Sequence, residues 1–159
     1  MNIKIVSYQP IHGYMILERN IKESDIWISQ YKDWDKTIKD WGRNGPAFTL
    51  FIDDEIVGSA GIILLDWQRG EAWTLFTSLF KKYKKIVWKN IKIYLDQIQK
   101  SENLKRIQSF IRLDFPEGCR FLEHLDFENE TPNGLKGFGP NGETLLLYGR
   151  VYKWTPLHG

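Results

Sequence analysis

The chain reads as an α+β protein built on a mixed, mostly antiparallel sheet flanked by helices. Three observations predict this. Strand-type alternation and helix-type periodicity succeed one another along all 159 residues. Three strand patterns between residues 47 and 77 are separated only by short turns, which makes them an antiparallel meander. A long helical pattern, Lys81 to Lys100, then lies between two strand patterns, and such a crossover joins parallel, right-handed neighbours.

In order, Ile3, Ile5 and Ser7 share one face of a first strand that Pro10 closes. His12 to Ile21 carries Tyr14, Met15, Leu17 and Ile21 as apolar positions, enough for one or two helical turns. Trp27, Tyr31, Trp34, Ile38 and Trp41 recur at spacings of 4, 3, 4 and 3. That stripe predicts a helix capped by Ser24 or Asp25 and stopped at Gly42. Its aromatic face is either core or the wall of a cleft.

Ala47 to Ile52 is a strand, Asp53-Asp54-Glu55 a tight turn, and Ile56 to Leu65 the returning strand. Gly58 and Gly61 within it predict a bulge or a close backbone approach. Arg69-Gly70 reads as the next turn. Glu71 to Thr77 follows, with Ala72, Thr74 and Phe76 alternating against Trp73, Leu75 and Thr77.

In Lys81–Lys100, Tyr83, Val87, Ile91, Tyr94 and Ile98 form the apolar stripe, and Lys81, Lys85, Lys89 and Lys92 follow another face. Leu104 to Leu113 is a strand centred on Ile107, Phe110 and Ile111. Pro116 opens a short helix to Leu125 that buries Phe121, Leu122 and Leu125. Phe127 begins a strand, Pro132 to Gly142 is a long flexible hairpin loop with four glycines, and Thr144 to Trp154 is the last strand. No repeat or linker interrupts the chain, so residues 1–159 are expected to form one domain.

Composition narrows the function classes. At 42% hydrophobic the chain can build a core. A lone Cys119 excludes an internal disulfide framework and a cysteine-rich zinc module. His12, His124 and His158 lack metal-ligand spacing, so no metal is expected. No apolar run reaches the roughly 18 residues a bilayer span requires. The opening Met-Asn-Ile-Lys-Ile-Val reads as a strand rather than a signal peptide, pointing to the cytoplasm.

Formal charge is only +2, yet it is uneven. From Lys81 to Arg106 nine basic residues face only Asp96 and Glu102, giving +7 locally. The densest part, Lys81-Lys82-Tyr83-Lys84-Lys85, is either a solvated helix face or a place to hold phosphate. Confinement of the charge to one helix, with no recognised motif, argues against nucleic acid as a partner.

The element order, with Gly118-Cys119-Arg120-Phe121-Leu122-Glu123-His124-Leu125-Asp126-Phe127 at the helix-to-strand ending, resembles the GNAT (general N-acetyltransferase) superfamily. There an Arg-Phe-Tyr-x-x-x-Gly-Phe pattern is common. Trp73-Thr74-Leu75, the Lys-rich helix start and Arg120-Phe121-Leu122 are most similar to GNAT-like proteins of short-tailed bacteriophages, which would place the chain in host cytoplasm or a virion. The resemblance implies acyl transfer from acetyl-CoA to an amine on a small molecule or protein. It also implies that the central strand (Leu75, Phe76) bonds the pantetheine arm through its backbone. Thr77, Ser78, Lys81, Lys82, Lys84 and Lys85 would hold the phosphates, and Glu71 would act as base.

Two departures mark this chain. The family's Gln/Arg-x-x-Gly-x-Gly/Ala loop corresponds to Thr77-Ser78-Leu79-Phe80-Lys81-Lys82-Tyr83, which contains no glycine. A close amide cradle for pyrophosphate is therefore not expected. The family's tyrosine general acid is replaced by Leu122, which carries no proton. Cys119, His124 and Tyr83 are the nearest substitutes, with His124 taken as the candidate. The alternative is a GNAT-fold binding or structural protein without chemistry.

Overall fold

The computed structural model describes residues 1–22 and 33–152. Its elements are β1 (Ile3–Ser7), α1 (Pro10–Lys22), α2 (Trp34–Arg43), β2 (Ala47–Ile52), β3 (Glu55–Leu64), β4 (Arg69–Phe76), α3 (Lys84–Ser101), β5 (Arg106–Arg112), α4 (Pro116–His124), β6 (Glu128–Asn129) and β7 (Leu145–Val151). The strands form one seven-stranded sheet in the order β1-β2-β3-β4-β5-β7-β6. Every pairing is antiparallel except β4 with β5. The expected mixed, mostly antiparallel α+β architecture is what the chain forms.

The Asp53-Asp54 turn places both residues at positive φ, 50° and 66°. A two-residue hairpin turn of this kind matches the twist of the strands it joins. The bulge predicted from Gly58 lies there, where the β2–β3 register shifts between Leu50 and Phe51. Gly61 meets the other expectation: a Cβ there would stand 2.6 Å from the Ala47 Cβ and 2.9 Å from the Trp73 ring. The next turn lies at Trp67-Gln68, with φ of 52° and 61°, not at Arg69-Gly70. Gly70 is instead a packing glycine, whose added Cβ would approach Ile62 to 2.5 Å.

α1 and α2 cover one face of the sheet, and α3 and α4 the other. On the first face Tyr8, Trp41 and Trp73 form a buried cluster, with the Trp41 and Trp73 rings stacked at 4.1 Å and 2°. On the second, Leu95 and Ile98 of α3 and Leu122 of α4 pack with Ile62, Ile107, Leu146 and Tyr148. Ile38 and Trp41 of the aromatic stripe are buried. Trp27, Tyr31 and the proposed caps Ser24 and Asp25 lie outside the described residues. α1 turns a different face inward from the one its apolar residues suggest. Gly13, Ile16 and Asn20 are buried, while Met15 and Ile21 are exposed.

α3 begins three residues later than expected. Ser78–Lys81 form a 3-10 turn, and Tyr83 caps the helix proper. The cause is Phe80, whose ring turns inward to stack on Phe76 at 4.5 Å and meets Phe121 edge-on at 5.5 Å. The loop between β6 and β7 is pinned by a Leu135–Leu145 bridge and by Phe138 stacked on Phe110 at 5.1 Å.

Candidate active site

The parallel pairing of β4 and β5 covers only Arg69–Glu71 with Arg106–Gln108. Beyond it the strands part, and the Ser109 hydroxyl reaches the Ala72 carbonyl at the 3.5 Å limit of a hydrogen bond. The Thr77 amide donates to Val57 O, and the Leu65 amide donates to Arg69 O. In an antiparallel ladder this turns the odd-numbered backbone groups of β4 toward β3 and the even-numbered groups away. Thr74 and the Phe76 amide thus face an open edge. At the strand end, Asn20 Nδ2 donates to Phe76 O at 2.9 Å.

This gap belongs to a cavity of about 1850 Å³ lined from both faces of the sheet. Asn20, Trp41, Glu71, Trp73 and Leu75 line it from the α1–α2 face. From the α3–α4 face it is lined by Phe76, Lys81, Lys84, Lys85, Lys89 and Arg120, and also by Thr74, which is exposed at the open edge. Burial holds the Glu71 carboxyl above the usual carboxylate range, partly offset by Arg69. A carboxyl raised in this way binds a proton more readily than an ordinary surface carboxylate, as a general base requires.

Lys81, Lys84, Lys85 and Lys89 are exposed, and none forms an ion pair among the described residues. Lys82 instead lies over the Tyr83 ring at 5.2 Å and is not part of the cleft lining. Thr77 is buried, and its hydroxyl points to the Ile56 and Val57 carbonyls at 3.0 and 3.1 Å. That side chain is committed to holding the strand end, which leaves Ser78 as the exposed hydroxyl of the pair.

The open edge of β4 suits an extended amide-bearing chain. The phosphate end differs from an amide cradle. Phe80 N bonds to Thr77 O, Lys82 N to Leu79 O, and Tyr83 N to Leu79 and Phe80 O, so these three amides are committed locally. What remains is the start of α3, whose first-turn amides have no partner within the helix, surrounded by lysines. Residues here fit an arm along β4 and phosphates held by side-chain charge and a helix start.

Glu71 and His124 both line the cavity, from opposite faces of the sheet. Glu71 shares the face of Trp73, whereas His124 ends α4 on the opposite face, exposed. The His124 carbonyl accepts from Trp88 Nε1 at 2.8 Å, and its ring stands edge-on to Trp88 at 6.0 Å. Leu122 is a core side chain, 8% exposed. Cys119 contacts the buried Tyr148 hydroxyl, which also donates to Glu123 Oε1 at 3.1 Å. Burial, then these two neighbours, push the Tyr148 hydroxyl well above its ordinary value.

Sequence reasoning missed Asn20 and the Phe76–Phe80–Phe121 cluster. A signal existed for Asn20, a polar residue four positions after Ile16 and therefore on the same helical face.

No family profile and no curated protein sequence matches the chain. Solved structures do. Ribosomal-protein-S18-alanine N-acetyltransferase from Escherichia coli superposes with a TM-score of 0.75 at 11% identity, covering 99% of each chain. Ribosomal-protein-S5-alanine acetyltransferase from Vibrio fischeri does so at 0.71 and 15%, covering 98% of this chain and 97% of that one. A mutant spermidine N-acetyltransferase from Vibrio cholerae gives 0.69 and 14%, covering 93% and 94%. The chain has the GNAT acyl-CoA N-acyltransferase fold.

Proposed function

We propose that residues 1–159 act as a single domain that transfers an acyl group from acyl-CoA, acetyl-CoA being the simplest donor, to a primary amine. The observation that carries this reading is the parting of β4 from β5. It opens a continuous cavity to both faces of the sheet, so that a thioester and an amine can approach one point from opposite sides. Glu71, half-buried on the α1–α2 face, is the base that removes the ammonium proton. Leu75 and Phe76 flank the carrier arm, and Ser78, Lys81, Lys84 and Lys85 hold its phosphates.

The acceptor class is an amine on a small molecule or a protein, and the setting is the cytoplasm, of a phage's host if the chain is phage-encoded. His124, which lines the cavity from the α3–α4 face opposite Glu71, is the candidate proton donor to the departing thiolate. A second reading, a binding protein of the same fold without chemistry, is favoured by the locally committed amides of Phe80, Lys82 and Tyr83 and by the buried Leu122. Calorimetric titration with acetyl-CoA, followed by thiol release in the presence of spermidine or an N-terminal alanine peptide, separates the two. Binding with release supports acyl transfer. Binding without release supports the second reading, and no binding refutes the first.

A further inference from the structure

Asn20 is 3% exposed in the last turn of α1, and its two amide atoms have unequal fates. Phe76 O can only accept, so the nitrogen faces it, at 2.9 Å. That fixes the orientation of the side chain. The remaining atom, Oδ1, is buried and has no donor among the described residues. An unsatisfied buried acceptor is costly and uncommon in a folded protein. Leucine or alanine would fill this helical position without that cost. Asn20 also lines the cavity between β4 and β5.

Its place along β4 says what such an acceptor would meet. The open edge runs from Thr74 to Phe76 and ends beside Lys81, Lys84 and Lys85. Ligand amides lying between a reactive end near Thr74 and a phosphate end near these lysines would pass Phe76. The Phe76 carbonyl is occupied by Asn20 Nδ2, and the adjoining Oδ1 is a second acceptor at the same strand end, still without a donor among the described residues. A ligand N–H is the complement.

We propose that Asn20 is a ligand-binding residue whose Oδ1 accepts an amide N–H from the pantetheine arm of an acyl thioester laid along the open edge of β4. This rests on the acyl-transfer reading.

The test uses three probes on the full chain: coenzyme A, pantetheine, and adenosine 3′,5′-bisphosphate, which lacks the arm. Asn20→Leu and Asn20→Ala should each weaken coenzyme A and pantetheine by about 3- to 10-fold, the weight of one neutral hydrogen bond. The bisphosphate should bind both variants as it binds wild type, which also reports that the lysine end is folded. If both variants bind pantetheine as tightly as wild type, Asn20 is not a ligand residue. Equal weakening of all three probes marks a purely structural side chain and likewise overturns the proposal. A wild type that binds neither coenzyme A nor pantetheine overturns the acyl-transfer reading, and this inference with it.

Discussion

Arg150 offers the sharpest test of how the cleft is framed. This β7 residue is 9% exposed, and its guanidinium ties three elements together. Nε donates to Leu125 O at the end of α4 at 3.0 Å, and one terminal nitrogen donates to Gln99 Oε1 of α3 at 2.7 Å. The other pairs with Asp96. Gln99, itself buried, returns a bond from Nε2 to Arg150 O at 3.3 Å. Arg150→Met keeps the length of the side chain and removes every donor. Two buried acceptors, Gln99 Oε1 and Leu125 O, then lose their partner at about 1–3 kcal/mol each. The Asp96 pair adds little, since that carboxylate is 57% exposed and screened by solvent. The thioether returns part of the loss through burial, leaving about 3 kcal/mol. For a chain of this size that lowers the thermal midpoint by about 6–12 °C. Asp96→Asn is the internal control and should cost no more than about 1 kcal/mol. Urea unfolding monitored by tryptophan fluorescence measures both. An Arg150→Met variant within about 1 kcal/mol of wild type, or an Asp96→Asn variant as damaged as Arg150→Met, would refute the reasoning.

Three further outcomes are expected. Lys81→Glu combined with Lys85→Glu should weaken coenzyme A by tens of fold at low ionic strength, and the gap should narrow with salt because the screening length falls to about 8 Å at 0.15 M; titration calorimetry in two salt concentrations checks this. Glu71 loses its proton above the ordinary carboxylate range, so the transfer rate should rise with pH through that titration. Glu71→Gln should abolish this limb and lower turnover by about 10²–10⁴, read from a pH–rate profile. His12 Nδ1 accepts from Gln9 N at 3.0 Å and lies 2.8 Å from the Thr49 hydroxyl, and burial lowers its pKa from 6.5. The unfolded chain therefore takes up this proton first as pH falls. Stability from His12 is complete above about 6.5 and is lost as pH falls toward the folded value. Thermal midpoints measured at about pH 7.5 and pH 5 should differ less in His12→Gln than in wild type.

The elements and their order were legible in the amino-acid sequence because each rests on local patterning. Alternation in Ala47–Phe76 and the 3.6-residue period of Lys84–Ser101 specify strand and helix without reference to distant residues. The crossover rule then made β4 and β5 parallel, and the basic helix start placed charge at the cleft mouth. Partnership across the fold was not legible. Phe80 reads as one residue of the segment joining strand to helix, yet its ring stacks on Phe76 from within a 3-10 turn that precedes α3. Gly70 has the look of a turn glycine, but the tight approach of Ile62 explains it. Arg150 follows Leu147-Tyr148-Gly149 as though it were a solvent-facing strand residue, and only α3 and the end of α4 reveal it as a buried clamp. Glu71 and His124 carry no spacing signal between them, and only the folded sheet shows that they line one cavity from opposite faces. Local sequence determines backbone conformation through nearby sterics and periodicity, whereas a side chain's role depends on which remote atoms satisfy or abandon it, and only the packed tertiary structure determines that.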